Sequence, residues 1–208
     1  MQITHELLGW WHQQSWIELT GVLTGFICVW LAAINNIWNW PIAIISVAIY
    51  IYVFYNYQLY ADMGLQVYFL ITSIYGWYFW SKKSTTAIKI PVVLISKQQI
   101  IISVIITVVV TPVLGYTLVT LSPILHYKPA AYPYLDSFCT TCSLIAQVYL
   151  TRKILENWLI WIFVDIIYVG VYLAKHLQPT AILFFAYIPV ALLGYIDWRK
   201  EYKKQVSL

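Results

Sequence analysis

The chain has 208 residues, of which 62% are hydrophobic and 10% charged, with a mean hydropathy of +0.74. Soluble domains hold about 45–50% apolar and about 25% charged residues, so this composition excludes a soluble fold and points to an all-α membrane protein. The formal net charge of +4 is read below as a signal of topology, with no nucleic-acid partner implied.

A hydrocarbon core of roughly 30 Å needs about 20 apolar residues per helix. Seven such stretches are expected, and they leave no room for a soluble domain. Residues 1–14 carry no Lys or Arg and no apolar run, so no signal peptide is expected. Trp16–Ile34 is the first stretch; its Gly21 and Gly25 form a G-x-x-x-G, read as close packing within a bundle. Pro41–Tyr60 is the second, and Asn39, Trp40, Ser46, Tyr50 and Asn56 lie in or beside it. Leu65–Trp80, the third, is short, depends on its aromatic ends and carries Gln66, Thr72 and Ser73. Gln98–Leu121 is almost purely Ile and Val over Ile100–Val110, with Ser103 and Thr107, as suits a linker facing lipid. Pro133–Leu150, Trp158–Ala174 and Thr180–Tyr195 complete the seven. Pro41 and Pro133 open helices, where a missing N–H costs nothing, and Pro179 precedes one. Pro112 and Pro189 lie inside apolar runs, as kinks or as ordinary membrane-helix prolines.

An internal repeat organises these stretches. Residues 39–82 match residues 157–200 at a constant offset of 118, with 12 identities in 44 ungapped positions. Asn39-Trp40 meets Asn157-Trp158, Tyr50 meets Tyr168, Leu59 meets Leu177, Gly76 meets Gly194 and Trp80 meets Trp198. Chance does not readily pair two Trp, an Asn, a Gly and a Tyr in one register. In a membrane chain such repeats indicate a transporter of two like halves around a central site. Three helices is an odd number, so a direct fusion would invert the second unit, and the fourth helix restores its direction. The expected plan is 3+1+3 with parallel repeats: repeat one at 15–83, a linker helix at 98–121 and repeat two at 133–201.

Lys and Arg set the orientation. One face holds Lys128 and Lys175, whereas the other holds Lys82, Lys83, Lys89, Lys97, Arg152, Lys153, Arg199, Lys200, Lys203 and Lys204. The second face is therefore expected in the cytoplasm, with the N-terminus outside and the C-terminus inside.

Polar residues mark the chemistry. On the sixth helix Trp158, Trp161, Asp165, Tyr168 and Tyr172 follow at steps of 3, 4, 3 and 4, so all share one face. A carboxylate near mid-membrane costs roughly 2.5–3.5 kcal/mol on insertion scales and marks a ligand or ion path by default. The alternative is a structural Asp bonded to a neighbouring helix. Trp158 is read as a binding residue or as an interfacial anchor. On the fifth helix Asp136, Thr140, Ser143 and Gln147 form a second stripe. Gln147 is its strongest member, because the hydroxyls of Thr140 and Ser143 can bond their own backbone. Trp40, Tyr50 and Gln66 complete the candidate substrate-binding set. Cys139 and Cys142 make a C-x-x-C with no His nearby, so no metal is expected. With Cys28 the cysteine count is odd, and no disulfide framework is indicated. His5, His12, His126 and His176 lie at ends or loops, and no specific role is expected of them. The equivalents of Trp161 and Asp165 in the first repeat are Ala43 and Val47, so the frame is symmetric and the pocket lopsided. That suits an asymmetric molecule, and indoles beside a carboxylate suit a flat cationic ring.

The segments 39–50, 59–70, 75–80, 134–147 and 156–168 together resemble the PnuC family of vitamin transporters. The resemblance covers nearly the whole chain and is weakest over 1–15 and 84–130. The family's W-x-x-W followed by N-x-x-Y falls on Trp158, Trp161, Asp165 and Tyr168, with Asp in place of the motif's Asn. The resemblance implies a SWEET-like 3+1+3 fold, a possible homotrimer in the cell inner membrane, and facilitated uptake of nicotinamide riboside with trapping by a cytoplasmic kinase. It leaves thiamine open, since both vitamins carry a cationic aromatic ring. A SWEET-type sugar transporter would share the plan without needing Asp165. A retinal-type receptor needs a lysine within 180–195, which has none. No enzyme's convergent acid, base or metal set is found, no cofactor is expected, and no phosphate-binding G-x-x-x-x-G-K-[ST] occurs.

Overall fold

A computed structural model describes residues 16–56, 60–82, 90–124 and 131–207. Among them seven helices follow one another: α1 (Trp16–Ala33), α2 (Asn39–Asn56), α3 (Tyr60–Ser81), α4 (Lys97–Ile124), α5 (Pro133–Thr151), α6 (Asn157–Ala174) and α7 (Gln178–Val206). Each grows from one apolar run of the sequence. The largest departure is α7, which continues past Tyr195 through the basic tail. There the helix is carried by surface pairs one turn apart, such as Lys200–Asp197 at 3.1 Å and Gln205–Glu201 at 3.5 Å. Lys83, Lys89, Lys128, Leu59 and the first three histidines lie outside the described residues, as do the repeat-unit ends at 15 and 83.

Four helices are long and apolar enough to cross a membrane among the described residues: α2, α4 over Lys97–Leu121, α6 and α7. A shorter apolar stretch, Thr20–Ala33, lies within α1. Helix α5 is less apolar because it carries Asp136, Thr140, Thr141, Ser143 and Gln147. Packed pairs run α1·α2, α2·α3, α3·α5, α5·α6, α6·α7 and α7·α1, which closes a ring of six. Helix α4 packs on α5 alone among the described residues, and its Ile101, Ile105, Val108 and Val109 are each more than half exposed.

The α1–α2 and α5–α6 turns are built alike. Asn35 and Lys153, which the offset of 118 relates, both sit in the left-handed region at φ 55° and 56°. Asn35 N–H donates to Ala32 and Asn36 N–H to Leu31; Lys153 N–H donates to Leu150 and Ile154 N–H to Tyr149. This is the Schellman ending, which satisfies the last carbonyls of a helix. Lysine is an unusual occupant of that conformation. Its ammonium lies 4.3 Å from the centre of the Trp80 ring, so tertiary contact holds it there. Asn39 and Asn157 then donate to the Asn36 and Ile154 carbonyls at 2.6 and 2.7 Å, which ties each following helix to its turn.

Four tryptophans join the two halves at this end. Trp40 meets Trp80 edge-on at 5.3 Å, Trp158 meets Trp198 edge-on at 5.6 Å, and Trp80 meets Trp198 at 5.8 Å. Such pairs each contribute about 0.5–1.5 kcal/mol beyond area burial. The indole N–H of Trp80 donates to the Thr151 carbonyl and that of Trp198 to the Ala32 carbonyl, both at 3.1 Å. Each half thus donates to the end of the other half's first helix. Gly76 and Gly194 make room for the outer indoles, because a Cβ at either would come within 2.6 Å of Trp40 or Trp158.

Candidate functional site

Directly beside the tryptophan cluster lies a cavity of about 210 Å³. Helix α1 supplies Cys28, Val29 and Ala32; α2 supplies Asn39, Trp40 and Ala43. Helix α5 supplies Gln147 and Leu150, α6 supplies Trp158, Trp161 and Asp165, and α7 supplies Phe184, Tyr187 and Ala191. The helical repeat explains the α6 set: Trp158, Trp161 and Asp165 rise at steps of 3 and 4 along one face. Asp165 is 5% exposed and Gln147 8%, and both line the cavity. A carboxyl and an amide are thus presented between aromatic walls. No group of three or more metal-ligating side chains occurs among the described residues, and all three cysteines are free. The cavity therefore joins one carboxyl and one amide to a lining of aromatic and aliphatic side chains.

The other candidate residues fall elsewhere. Tyr168 and Thr140 line a second cleft of about 570 Å³, together with Asp136, Tyr68 and Tyr172. Ser143 donates to the Cys139 carbonyl of its own helix at 2.9 Å and lines neither space. Tyr50 lies against Gly21 and stacks on Phe54 at 5.9 Å. Gln66 is half-buried and lines neither space. Of the sequence-derived set, Trp40, Gln147, Trp158, Trp161 and Asp165 share the inner cavity. Trp158 is 2% exposed and packs against Gly194 and Trp198.

Both polar stripes cross from one space to the other. On α5, Asp136 and Thr140 face the cleft and Gln147 the cavity; on α6, Tyr168 and Tyr172 face the cleft and Asp165 the cavity. The ring of Phe184 stands between the two. It lines the cavity and packs on Tyr168 and Tyr172 of the cleft at 4.9 and 5.3 Å.

Sequence reasoning missed Phe184 and Tyr187. Both are apolar or weakly polar residues of an apolar helix, and composition gives them no prominence. A signal was available in the repeat: Phe184 is the equivalent of Gln66, and the cavity takes the α7 residue and omits the α3 one. Likewise Gln147 faces the place of Val29, and Trp161 that of Ala43. The cavity is displaced toward the second half. Four buried polar atoms around it lack hydrogen-bond partners in two related pairs: Oδ1 of Asn39 and Asn157, and Nε1 of Trp40 and Trp158.

Comparison with known proteins agrees over almost the full length. The nicotinamide mononucleotide transporter family matches residues 15–200. The nicotinamide riboside transporter PnuC of Escherichia coli is 29% identical over 212 residues, covering 93% of this chain and 89% of that protein. The PnuC of Neisseria mucosa is 25% identical over 91% of this chain and 74% of its own length. The riboflavin/roseoflavin transporter RibM of Streptomyces davaonensis is 23% identical over 88% of this chain and 84% of its own length. The crystal structure of a vitamin B3 transporter PnuC superposes with a TM-score of 0.69 at 24% identity, covering 97% of this chain and 88% of that one.

Proposed function

The chain belongs to the nicotinamide mononucleotide transporter family, the PnuC transporters, and from that premise we propose that it carries nicotinamide riboside across the cell inner membrane by facilitated diffusion. The family is one of transporters, not enzymes. The observation that carries the substrate reading is the pairing of Asp165 with Trp161, one helical turn apart on the wall of the buried cavity. A pyridinium ring against the indole gains cation–π energy of up to about 2 kcal/mol when desolvated, and the carboxylate supplies its countercharge. Gln147 and Asn39 offer amides to the carboxamide and ribose hydroxyls. Tyr168, Thr140 and Asp136 form the approach, with Phe184 as the barrier passed on the way in. Tyr50, Ser143 and Gln66 act as supports away from the ligand.

Two triple-helix repeats, 15–83 and 133–201, linked by a helix over 98–121 in the SWEET-like 3+1+3 plan, account for the ring of six helices with α4 outside it. The matching turns and tryptophans support that plan. One end must open toward the cytoplasm. The four unpaired polar atoms beside the tryptophans would regain water there, offsetting about 1–3 kcal/mol of burial cost each. Downstream, a cytoplasmic kinase traps the vitamin, and the working unit is a homotrimer.

Thiamine is the second reading: Asp165, where the family motif has Asn, would balance its cationic ring as well as that of nicotinamide riboside, and so leaves the choice open. Uptake of labelled nicotinamide riboside into proteoliposomes decides between them. The expected result is equilibration without ATP or a proton gradient, suppressed by unlabelled nicotinamide riboside and far less by thiamine or riboflavin. Stronger competition by thiamine would transfer the assignment to thiamine; absence of uptake of either would reject the function.

Orientation is tested separately. Ten of the twelve Lys and Arg lie on one face, so the C-terminus is assigned to the cytoplasm and residues 1–15 to the outside. In intact cells an impermeant thiol reagent should label a cysteine introduced at Gln2 and spare one at Ser207. Labelling in the opposite sense would invert the assignment.

A further inference from the structure

A groove of about 740 Å³ runs between α3, α4 and α5, on the outside of the six-helix ring; it is separate from the inner cavity and meets the cleft at Tyr68 and Leu144. Its polar side chains are almost all committed within the protein. Tyr68 donates its hydroxyl to the Leu144 carbonyl at 2.9 Å. Ser103 bonds the Tyr149 hydroxyl, which in turn donates to the Gln99 carbonyl at 3.1 Å. The side-chain oxygen of Gln99 accepts from the Ser96 N–H at 2.8 Å. Between these lie Ile102, Ile106, Ile145 and Val148. With its hydroxyls satisfied internally, the wall favours an apolar occupant over a polar solute.

Arg152 stands at one end of this groove. Its guanidinium lies over the rings of Phe79 and Tyr75, 5.1 and 5.3 Å from their centres, and those rings stack on each other at 6.1 Å. The Lys200–Asp197 ion pair does not involve Arg152, which pairs with no carboxylate among the described residues. The rings fix the plane of the guanidinium and leave its N–H groups free at the basic end of the helix ring. Along α3 the groove extends from Phe79 to Tyr68, roughly 16 Å at 1.5 Å per residue. That is about half of a 30 Å hydrocarbon core, the depth of one leaflet.

We propose that this groove binds an anionic phospholipid, with an acyl chain along α3 and α4 and the phosphate on Arg152. Basic pockets between membrane helices select such headgroups, and guanidinium is suited to two-point contact with phosphate oxygens. A free phosphate would not explain the apolar depth. A second copy of the chain is the other apolar occupant, but at this end it offers no uncommitted carboxylate among the described residues. Glu156 accepts from the Ile95 N–H at 2.9 Å, Asp197 pairs with Lys200, and Glu201 is bonded by Asn35.

The test is thermal unfolding of the detergent-solubilised full chain, titrated with phosphatidylglycerol or with phosphatidylcholine of the same acyl chains. Molar mass is followed by light scattering. Phosphatidylglycerol should reach half-maximal stabilisation at roughly fivefold lower concentration, as expected for one cation near the headgroup. Arg152→Gln should remove that preference while leaving stabilisation by both lipids, and Arg152→Lys should keep part of it. Ile106→Trp, which fills the groove, should weaken the response to both lipids without altering the mass. Equal potency of the two lipids on the unsubstituted protein, or a preference that survives Arg152→Gln, would overturn the proposal. A fall in molar mass with Ile106→Trp would assign the groove to a second copy instead.

Discussion

Asp165→Asn weakens binding of nicotinamide riboside by about 1.5–3 kcal/mol, the range for a hydrogen bond with a charged partner, which is roughly 10- to 150-fold in Kd. The substitution keeps the size of the side chain and its capacity to hydrogen-bond, and removes only its negative charge. The uncharged dihydronicotinamide riboside should therefore bind the variant about as well as it binds the unsubstituted protein. Trp161→Ala gives a different pattern, because both rings stack on the indole: nicotinamide riboside loses about 1–2 kcal/mol of stacking and cation–π energy, and the reduced ring loses the stacking part alone. Calorimetry in detergent measures all four affinities. Equal losses for charged and reduced ligands in Asp165→Asn, with a lowered melting temperature, would make Asp165 a structural residue. Binding retained but gradient-driven accumulation lost would make it a proton carrier.

Gly194→Ala is expected to destabilise the protein and to disturb the binding cavity. Its Cβ would stand 2.6 Å from Cε2 and 2.7 Å from Cδ2 of Trp158. The indole cannot retreat toward Trp198, which it already meets edge-on at 5.6 Å, so it is driven toward the cavity. Overpacking of this kind costs about 1–3 kcal/mol, and here it also narrows the binding space. Gly170→Ala on α6 is the internal control: nothing lies within 4 Å of its added Cβ, and a helical alanine gains about 0.5–1 kcal/mol over glycine. Melting temperatures should therefore move in opposite directions, and only the first variant should lose ligand affinity. If Gly194→Ala melts with the unsubstituted protein, the close seat of Trp158 is wrong.

The seven helices were legible because apolar runs of membrane length leave little choice of conformation, and prolines at 41, 133 and 179 mark where helices begin. The α7 end was not, because hydropathy falls at Asp197 while the helix, held by pairs one turn apart, continues to Val206. Within the candidate site, periodicity placed Trp158, Trp161, Asp165 and Tyr168 on one face of α6. A face, however, says nothing about how many spaces it passes. The division between Asp165 and Tyr168 is made by Phe184, a residue from another helix, and only tertiary packing reveals it. Tyr50 and Gln66 illustrate the same limit. Their polarity singled them out, yet which side of α2 or α3 meets a cavity depends on helix rotation. Tyr50 is turned against Gly21 of α1.

The exchanged indole bonds, Trp80 to Thr151 and Trp198 to Ala32, have the form of an isologous contact: one patch meets its own likeness, as in a two-fold dimer. An interface of that kind does not require its two sides to be in one polypeptide. It is the arrangement that two separate copies of a three-helix ancestor would make. In such a pair, any change to the tryptophan, the glycine beneath its neighbour or the turn that receives the bond would have struck both sides at once. On the proposed two-repeat plan, joining the halves through α4 would free them to differ. The pairs Ala43/Trp161 and Val47/Asp165 fit that plan: a polar, aromatic wall on one side only, within a frame whose seam still treats the two sides alike.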